Sequence, residues 1–287
     1  MQRQNHLKNF YLLSRPLNVL IAFLSIEIGA LLANGGLLSL PVLLAALTAG
    51  FTMAAANIVN DIYDIDIDRI NKPRRLLASG RVSVKLAAVY ALTATMIAWL
   101  LAALNGWTMF FVAVLIAVLL YFYDRILKRT VLWGNLAVSL CGGLAFIYGA
   151  MAAGRWQMGV IPFGFAFLFH LGREIIKDMQ DLKGDRAAQA LTFPARFGMR
   201  ASVMLVTLVF LLLVVFTILP YILSIYNKEY LYAVLFGVDS VLIVVSIVLW
   251  FKTEPAVLGK LSHVLKLDMI IGLIALYIGS GNVIFIN

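Results

Sequence analysis

The chain is poor in the residues that build a water-soluble globule. Charged residues make up only 13% of its 287 positions, about half the usual share. Its one cysteine, Cys141, falls inside a long apolar run, which excludes a disulfide framework and a thiolate metal site and leaves packing as its role. Histidine is scarce too: His6 and His263 lie in polar flanks and read as solvated, and His170 reads as a satisfied interior histidine. Acids number 14 against 23 basic residues, giving a net charge of +9. The remainder is 63% hydrophobic with a mean hydropathy of +0.96. Such a composition belongs to an integral membrane protein.

Runs long enough to cross a bilayer as helices, about 20 apolar residues each, fall near 16–33, 38–60, 84–104, 107–123, 132–153, 157–172, 201–225, 230–251 and 265–286. The expectation is an all-α protein of nine transmembrane helices in one domain, 1–287. The first run follows a polar, basic start, but no small-residue cleavage site follows it and further spans come at once, so it reads as a retained helix. Placing the N-terminus in the cytoplasm puts 21 of the 23 basic residues on the inner side, with only Arg155 and Lys228 outside. That asymmetry sets the expected orientation, and it accounts for the positive charge without nucleic acid.

The few acids are not scattered. Eight of the fourteen occupy two short stretches, NIVNDIYDIDIDRINKPRR at 57–75 and REIIKDMQDLKGDR at 173–186. In the first, Asn57, Asp61, Asp64 and Asp68 are spaced by four, three and four residues, so on a helix they share one face with Asn60 beside them; Asp66 points elsewhere. The second repeats the spacing with Glu174, Asp178, Asp181 and Asp185, and the last three lie 117 positions after Asp61, Asp64 and Asp68. One such stripe is equally a solvated helix end. Two in one register, each closing an apolar run, read as halves of one metal site, and the constant offset suggests a parallel internal repeat. A stripe of carboxylates repels itself unless a counter-charge is present, and a hard divalent cation such as Mg2+ takes oxygen ligands of this kind.

Basic residues flank both ladders. Lys72 and Arg75 follow the first, Arg173 and Lys177 interleave with the second, and Lys128 and Arg129 lie in a loop between. Each alone is explained by topology, but as a group beside the acids they look like a site for phosphate oxygens. Two divalent ions between opposed acids clamp a diphosphate as its bond to carbon breaks. An isoprenoid diphosphate suits that clamp, because its tail also needs an apolar home.

Asn60-Asp61, Asp64 and Asp68 resemble the NDxxDxxxD signature of the UbiA superfamily of membrane prenyltransferases, and Asp181 and Asp185, preceded by Asp178, resemble its DxxxD signature. The resemblance implies nine helices around a central cavity and Mg2+-dependent transfer of a prenyl group from its diphosphate through a carbocation-like state. It implies that Asn57, Asn60, Asp61, Asp64, Asp68, Asp178, Asp181 and Asp185 serve the metal, with Asp64, Asp68, Asp181 and Asp185 central to catalysis. Lys72, Arg75, Lys128, Arg129, Arg173 and Lys177 would then hold the diphosphate. INKPRRLLASGRVS, the second acidic stretch and LTFPARFG look most like the digeranylgeranylglyceryl phosphate synthase group, which alkylates a lipid glycerol phosphate. The quinone, haem O and chlorophyll branches, which use aromatic acceptors, share much of the pattern.

Other positions stay open at this level. Arg15 and Asn18 are candidates for an acceptor phosphate, and Arg15 is equally a topology anchor. Glu27 and Asp239, acids within spans, are functional or hydrogen-bonded packing residues. Tyr121 and Tyr123 belong to an interfacial belt or shield a cation. A transporter would scatter ionisable groups along a path across the membrane, whereas this chain collects its acids at one side. Neither a protein partner nor nucleic acid is implied.

Overall fold

A backbone in hydrocarbon has no water to bond, so each apolar run closes its own hydrogen bonds as helix. The computed structural model of the chain describes residues 6–34 and 36–280, and these form helices joined by short turns, with no strand among the described residues. Helix α1 (His6–Ser14) and α2 (Pro16–Leu32) meet at a 60° bend. Arg15 makes that bend with a left-handed φ of 53°, and Pro16 starts the new helix where its missing N–H costs nothing. Then follow α3 (Leu40–Tyr63), the short α4 (Ile65–Asn71), α5 (Val84–Asn105), α6 (Trp107–Arg125), α7 (Trp133–Ala152), α8 (Val160–Ala187) and α9 (Phe193–Ile222). Helix α10 (Lys228–Ala233) runs through a π turn, Val234–Asp239, into α11 (Ser240–Phe251), and α12 (Pro255–Ser280) closes the bundle.

Among the described residues, eight helices are long and apolar enough to cross a membrane, and the bent α1–α2 pair makes a ninth. Nine crossings were expected, but several boundaries move. Helix α8 continues to Ala187 rather than ending at 172, α9 starts at Phe193 rather than 201, and α12 starts at Pro255 rather than 265. In each case the helix outlasts the apolar window, because backbone bonding continues where polar side chains begin. Gly198, with φ of 84°, breaks α9 near its start. The expected continuation of the last span to 286 lies outside the described residues, as does Arg3 of the topology count.

Lipid tails are as apolar as leucine, so small residues that let backbones approach do much of the work between helices. Helix α5 presents buried Ala87, Ala91, Ala94, Ala98 and Ala102, at steps of three and four, towards buried Ala45, Ala46, Ala54 and Ala55 of α3. The contact is close enough for the Thr48 hydroxyl, bonded to Leu44 O at 2.8 Å, to reach Ala98 O at 3.4 Å. Large apolar side chains such as Leu92, Leu100, Phe111 and Leu212 point outward, where lipid would cover them.

Helices α2, α3, α5 and α6 pack in sequence, and α7, α8, α9 and α11 repeat that order. The two sets meet where α2 crosses α7. There a Cβ on Gly29 would overlap the Phe146 main chain, and one on Gly149 would overlap the Ile26 carbonyl. The contact is reciprocal, as a parallel repeat would produce. We expect Gly149→Val to destabilise the bundle by about 1–3 kcal/mol through overpacking, read as a lower melting temperature of the purified protein in detergent. An unchanged melting curve would refute this account of the crossing.

Candidate active site

Both ladders come together at one end of the bundle. The second is carried on one continuous helix, α8. The first is not: α3 stops at Tyr63, Asp64 forms the junction, and α4 begins at Ile65. Bonds from Asp64 N to Asn60 O at 2.9 Å and from Asp68 N to Asp64 O at 2.7 Å carry the helical pattern across the break. The shared face therefore survives the interruption. Gly184 lets α4 lie against α8, since a Cβ there would strike the Asn71 amide, and Asn71 Nδ2 donates to Asp181 O at 3.0 Å.

Nearly every acid is matched by a donor. Asp61 pairs with Arg15 and, at 3.2 Å, with Arg75. Arg75 also holds Asp68 at 2.6 Å. Burial works against the Arg75 charge, but Asp61 and Asp68 together hold its guanidinium above its usual pKa; burial also pushes the Asp68 carboxyl up, further than Arg75 brings it down. Lys128 reaches Asp64 at 2.7 Å and Asp124 at 3.5 Å, and it lies 5.8 Å from the Tyr63 ring centroid. Lys72 bridges from the end of α4 to Asp181 of α8. Asp178 accepts from Asn135 Nδ2 at 2.7 Å and Asp185 from the Thr192 hydroxyl at 3.3 Å. Burial holds the Asp185 carboxyl above its usual range, and the charges of Asp181 and of Asp64 across the site add to this. Asp66, as its spacing implied, stands apart with a 90% exposed side chain and only Arg69 beside it.

Other expected site residues have different surroundings. Asn57 is a structural clamp: its Nδ2 donates to Ser14 O at 2.8 Å while its Oδ1 accepts from Asn18 at 3.0 Å, which fixes the α1–α2 bend. Asn60 donates to Asp124 at 2.8 Å. Arg173 and Lys177 pair with Glu174, at 3.3 and 2.7 Å, instead of with the facing ladder. The Arg129 side chain is exposed and pairs with neither ladder among the described residues. Tyr121 is exposed beside Arg125, whereas Tyr123 lines the cavity described next. Glu27 accepts from Leu38 N at 3.0 Å, and Asp239 accepts from the Thr217 hydroxyl at 3.0 Å, so both take part in packing. His170 is not the satisfied histidine expected, because its buried Nδ1 has no partner.

Asp124 and Lys266 were not among the site residues the sequence suggested. Asp124 is 2% exposed and joins Asn60 to Lys128. Each belongs to a mixed stretch of charged and apolar residues, YFYDRILKR and HVLKLD, with no ladder spacing to mark it. The glycine at 134 was a better signal: its bare backbone lets the Lys128 turn rest on the start of α7.

Below this charged rim a cavity of about 200 Å3 descends between α2, α3, α6, α7, α8 and α12, with Ile21, Ile26, Met53, Ile116, Leu120 and Val138 on its walls. A second cavity of about 80 Å3 lies behind His170 and Met269, towards α9 and α12. A polar, doubly acidic rim over a greasy chamber suits a ligand with an anionic head and a hydrocarbon tail.

The model of the UbiA prenyltransferase family matches residues 20–266. The chain belongs to that family. Digeranylgeranylglyceryl phosphate synthase of Methanothermobacter thermautotrophicus is 32% identical over 94% of this chain and 95% of its own length. A solved structure described as that of a digeranylgeranylglyceryl phosphate synthase in membranes is 31% identical, with a TM-score of 0.74 over 96% of this chain and 99% of the other. A UbiA homologue from Archaeoglobus fulgidus, solved with GPP and Mg2+, has the same fold at 18% identity, with a TM-score of 0.62 over 94% of this chain and 99% of that one. As a UbiA enzyme this protein is a prenyltransferase, embedded in a membrane by helices.

Among the described residues no three acids or histidines converge into a ready cage for a metal ion. Magnesium usually takes one or two carboxylates and completes its sphere with water and phosphate oxygens. The ladder donors are all oxygens, and Asp181 Oδ1 is buried with no hydrogen-bond partner. In kind, the residues fit such an ion. The mutual dependence of these groups is testable at Asp124: Asp124→Ala leaves Lys128 its closer partner Asp64 but strips Asn60 Nδ2 of its acceptor, and is expected to cost about 1–2 kcal/mol. Asp66→Ala should leave the thermal melt unchanged. Equal melting temperatures for the two variants would show that the rim charges are not coupled as described.

Proposed function

We propose that this UbiA enzyme moves a geranylgeranyl-like group from its diphosphate to the free hydroxyl of geranylgeranylglyceryl phosphate, with Mg2+ as cofactor and its charged rim facing the cytoplasm. The observation that carries the reading is the opposition of two acid ladders, on α3–α4 and α8, over a single apolar cavity. The identity to glycerol-phosphate-alkylating relatives, 32% for the Methanothermobacter enzyme, supports the acceptor. GPP and Mg2+ in the Archaeoglobus fold neighbour support the donor and the ion. The orientation rests on the distribution of lysine and arginine, and the whole chain, 1–287, is read as one catalytic domain.

Asp64, Asp68, Asp181 and Asp185 are the acids proposed to hold magnesium, with Asn60, Asp61 and Asp178 around them. What the ion supplies when bound is neutralisation of the charge that grows on the diphosphate as the carbon–oxygen bond breaks. Lys72, Arg75 and Lys128 already sit on ladder carboxylates, so they are within reach of phosphate oxygens that bridge the same acids. The apolar walls take the prenyl tail and keep water from the allylic cation. Arg15, at the bend beside Asp61, and Asn18 stand where an acceptor headgroup would meet the cation.

The test is turnover in membranes. Prenyl transfer should require added Mg2+ and vanish in EDTA, and Asp64→Ala and Asp181→Ala should each remove most of it. Geranylgeranylglyceryl phosphate should outcompete 4-hydroxybenzoate and a dihydroxynaphthoate for the donor. Full activity in EDTA would remove the metal from this reading. Prenylation of the aromatic ring alone would move the enzyme to a quinone branch.

A further inference from the structure

Four cations share one side of the central cavity: Arg15 from the α1–α2 bend, Arg173 and Lys177 from α8, and Lys266 from α12. Two carboxylates face them. Glu174 binds both Arg173 and Lys177, and Asp61, bound by Arg15, is shared with Arg75. Lys266 has no ion pair among the described residues, and it feels the repulsion of Arg173, Arg15 and Lys177. The α8 and α12 members are held in register, since Arg173 Nε donates to Ser262 O of α12 at 3.2 Å. Positive charge thus exceeds negative charge on this side of a cavity that is mainly apolar, with Asn18, Asn57, Asn60 and Asp124 among its polar lining residues. Such an excess is costly in a poorly solvated chamber and is relieved by a bound anion.

Arg173, Lys177 and Lys266 stand apart from the cations that hold the ladder aspartates. Arg15 and Arg75 share Asp61, Arg75 also holds Asp68, Lys72 holds Asp181 and Lys128 holds Asp64, whereas Arg173 and Lys177 bind Glu174, the first acid of the second ladder, and Lys266 has no ion pair among the described residues. A diphosphate bridging the ladders meets the first set. A second anion held between α2, α8 and α12 meets the other.

We propose that Arg173, Lys177 and Lys266, completed by Arg15, form a binding site for the phosphate monoester of the acceptor lipid, separate from the diphosphate site. The assignment rests on the glycerol-phosphate reading of the acceptor. It moves Arg173 and Lys177 from donor to acceptor recognition and adds Lys266. A phosphate monoester near −2 in charge makes several charge-assisted bonds with such a cluster, where a singly charged carboxylate makes fewer. The site would therefore select a phosphorylated acceptor over an aromatic acid.

The experiment measures binding to the full-length protein in nanodiscs, without turnover. The probes are geranylglyceryl phosphate, its dephosphorylated alcohol, and geranyl S-thiolodiphosphate with Mg2+ as an inert donor analogue. The wild type should bind the phosphate at least about 10-fold more tightly than the alcohol, the factor that one charge-assisted contact supplies. Lys266→Gln should erase that preference, and Lys266→Arg should retain most of it. Unchanged affinity of Lys266→Gln for the donor analogue would show that the variant is folded. Undiminished phosphate preference in Lys266→Gln overturns the proposal, as does loss of both ligands in Lys266→Gln and Lys266→Arg alike. The two readings fail separately: a wild type that binds the phosphate through Lys266 but prenylates only an aromatic acid removes the proposed reaction and the acceptor role, and leaves only a phosphate-binding site. Prenylation of the glycerol phosphate with Lys266→Gln binding like wild type does the reverse.

Discussion

A carboxylate facing apolar surface must find a partner or give up its charge, and at the ladder end of this bundle that requirement decides which elements touch. Hydrophobic packing alone would leave α4 and the Lys128 turn as surface excursions. Lys72 draws α4 onto α8 through Asp181, and Lys128 ties its turn to Asp64 and Asp124. Arg75 returns from beyond α4 to serve Asp61 and Asp68 together. A buried pair of this kind adds little net stability over apolar packing, yet breaking it is costly. Its main contribution is geometric, because it fixes which side chains surround the mouth of the cavity. In the proposed reaction the same pairs are replaceable, since a diphosphate arriving with divalent ions offers the acids cations and the lysines anions.

Away from the mouth, order comes from closeness. The alanine rows of α3 and α5, and the two glycines where α2 crosses α7, bring backbones to distances that larger residues forbid. In lipid this is a main source of helix affinity. The repeated packing order places the ladders on corresponding helices, α3 and α8. Two equivalent acidic ends then face one chamber without any linker between the halves.

Much of this is legible in the chain because its signals are periodic. Apolar runs gave nine crossings, and spacings of four, three and four gave both ladders, since a helix turns such intervals into a face. Span ends were misjudged at α8, α9 and α12 because hydropathy measures fit to lipid and not where backbone bonding stops. The interruption at Asp64 left no trace, as no glycine or proline marks it and the hydrogen bonds bridge it. Residues outside the ladders were the least visible. Asp124 and Lys266 acquire meaning only from neighbours far along the chain. Arg173 and Lys177, interleaved with the second ladder in sequence, pair with its first acid, Glu174.

The glycine crossing also acts as a floor. Ile26 and Tyr148 close the deep end of the central cavity, and immediately beyond them Gly149 meets the Ile26 carbonyl. From Arg15 to Ile26 the drop along α2 is roughly 16 Å at 1.5 Å per residue. Because main-chain atoms lie directly behind those side chains, trimming Ile26 or Tyr148 deepens the chamber by no more than the side chain removed. A longer tail must turn sideways, past His170 and Met269, into the smaller cavity behind them. Capacity for chain length is thus asymmetric: a bulky substitution anywhere on the wall shortens the measure, whereas lengthening it beyond one side chain means opening a wall or re-angling two helices.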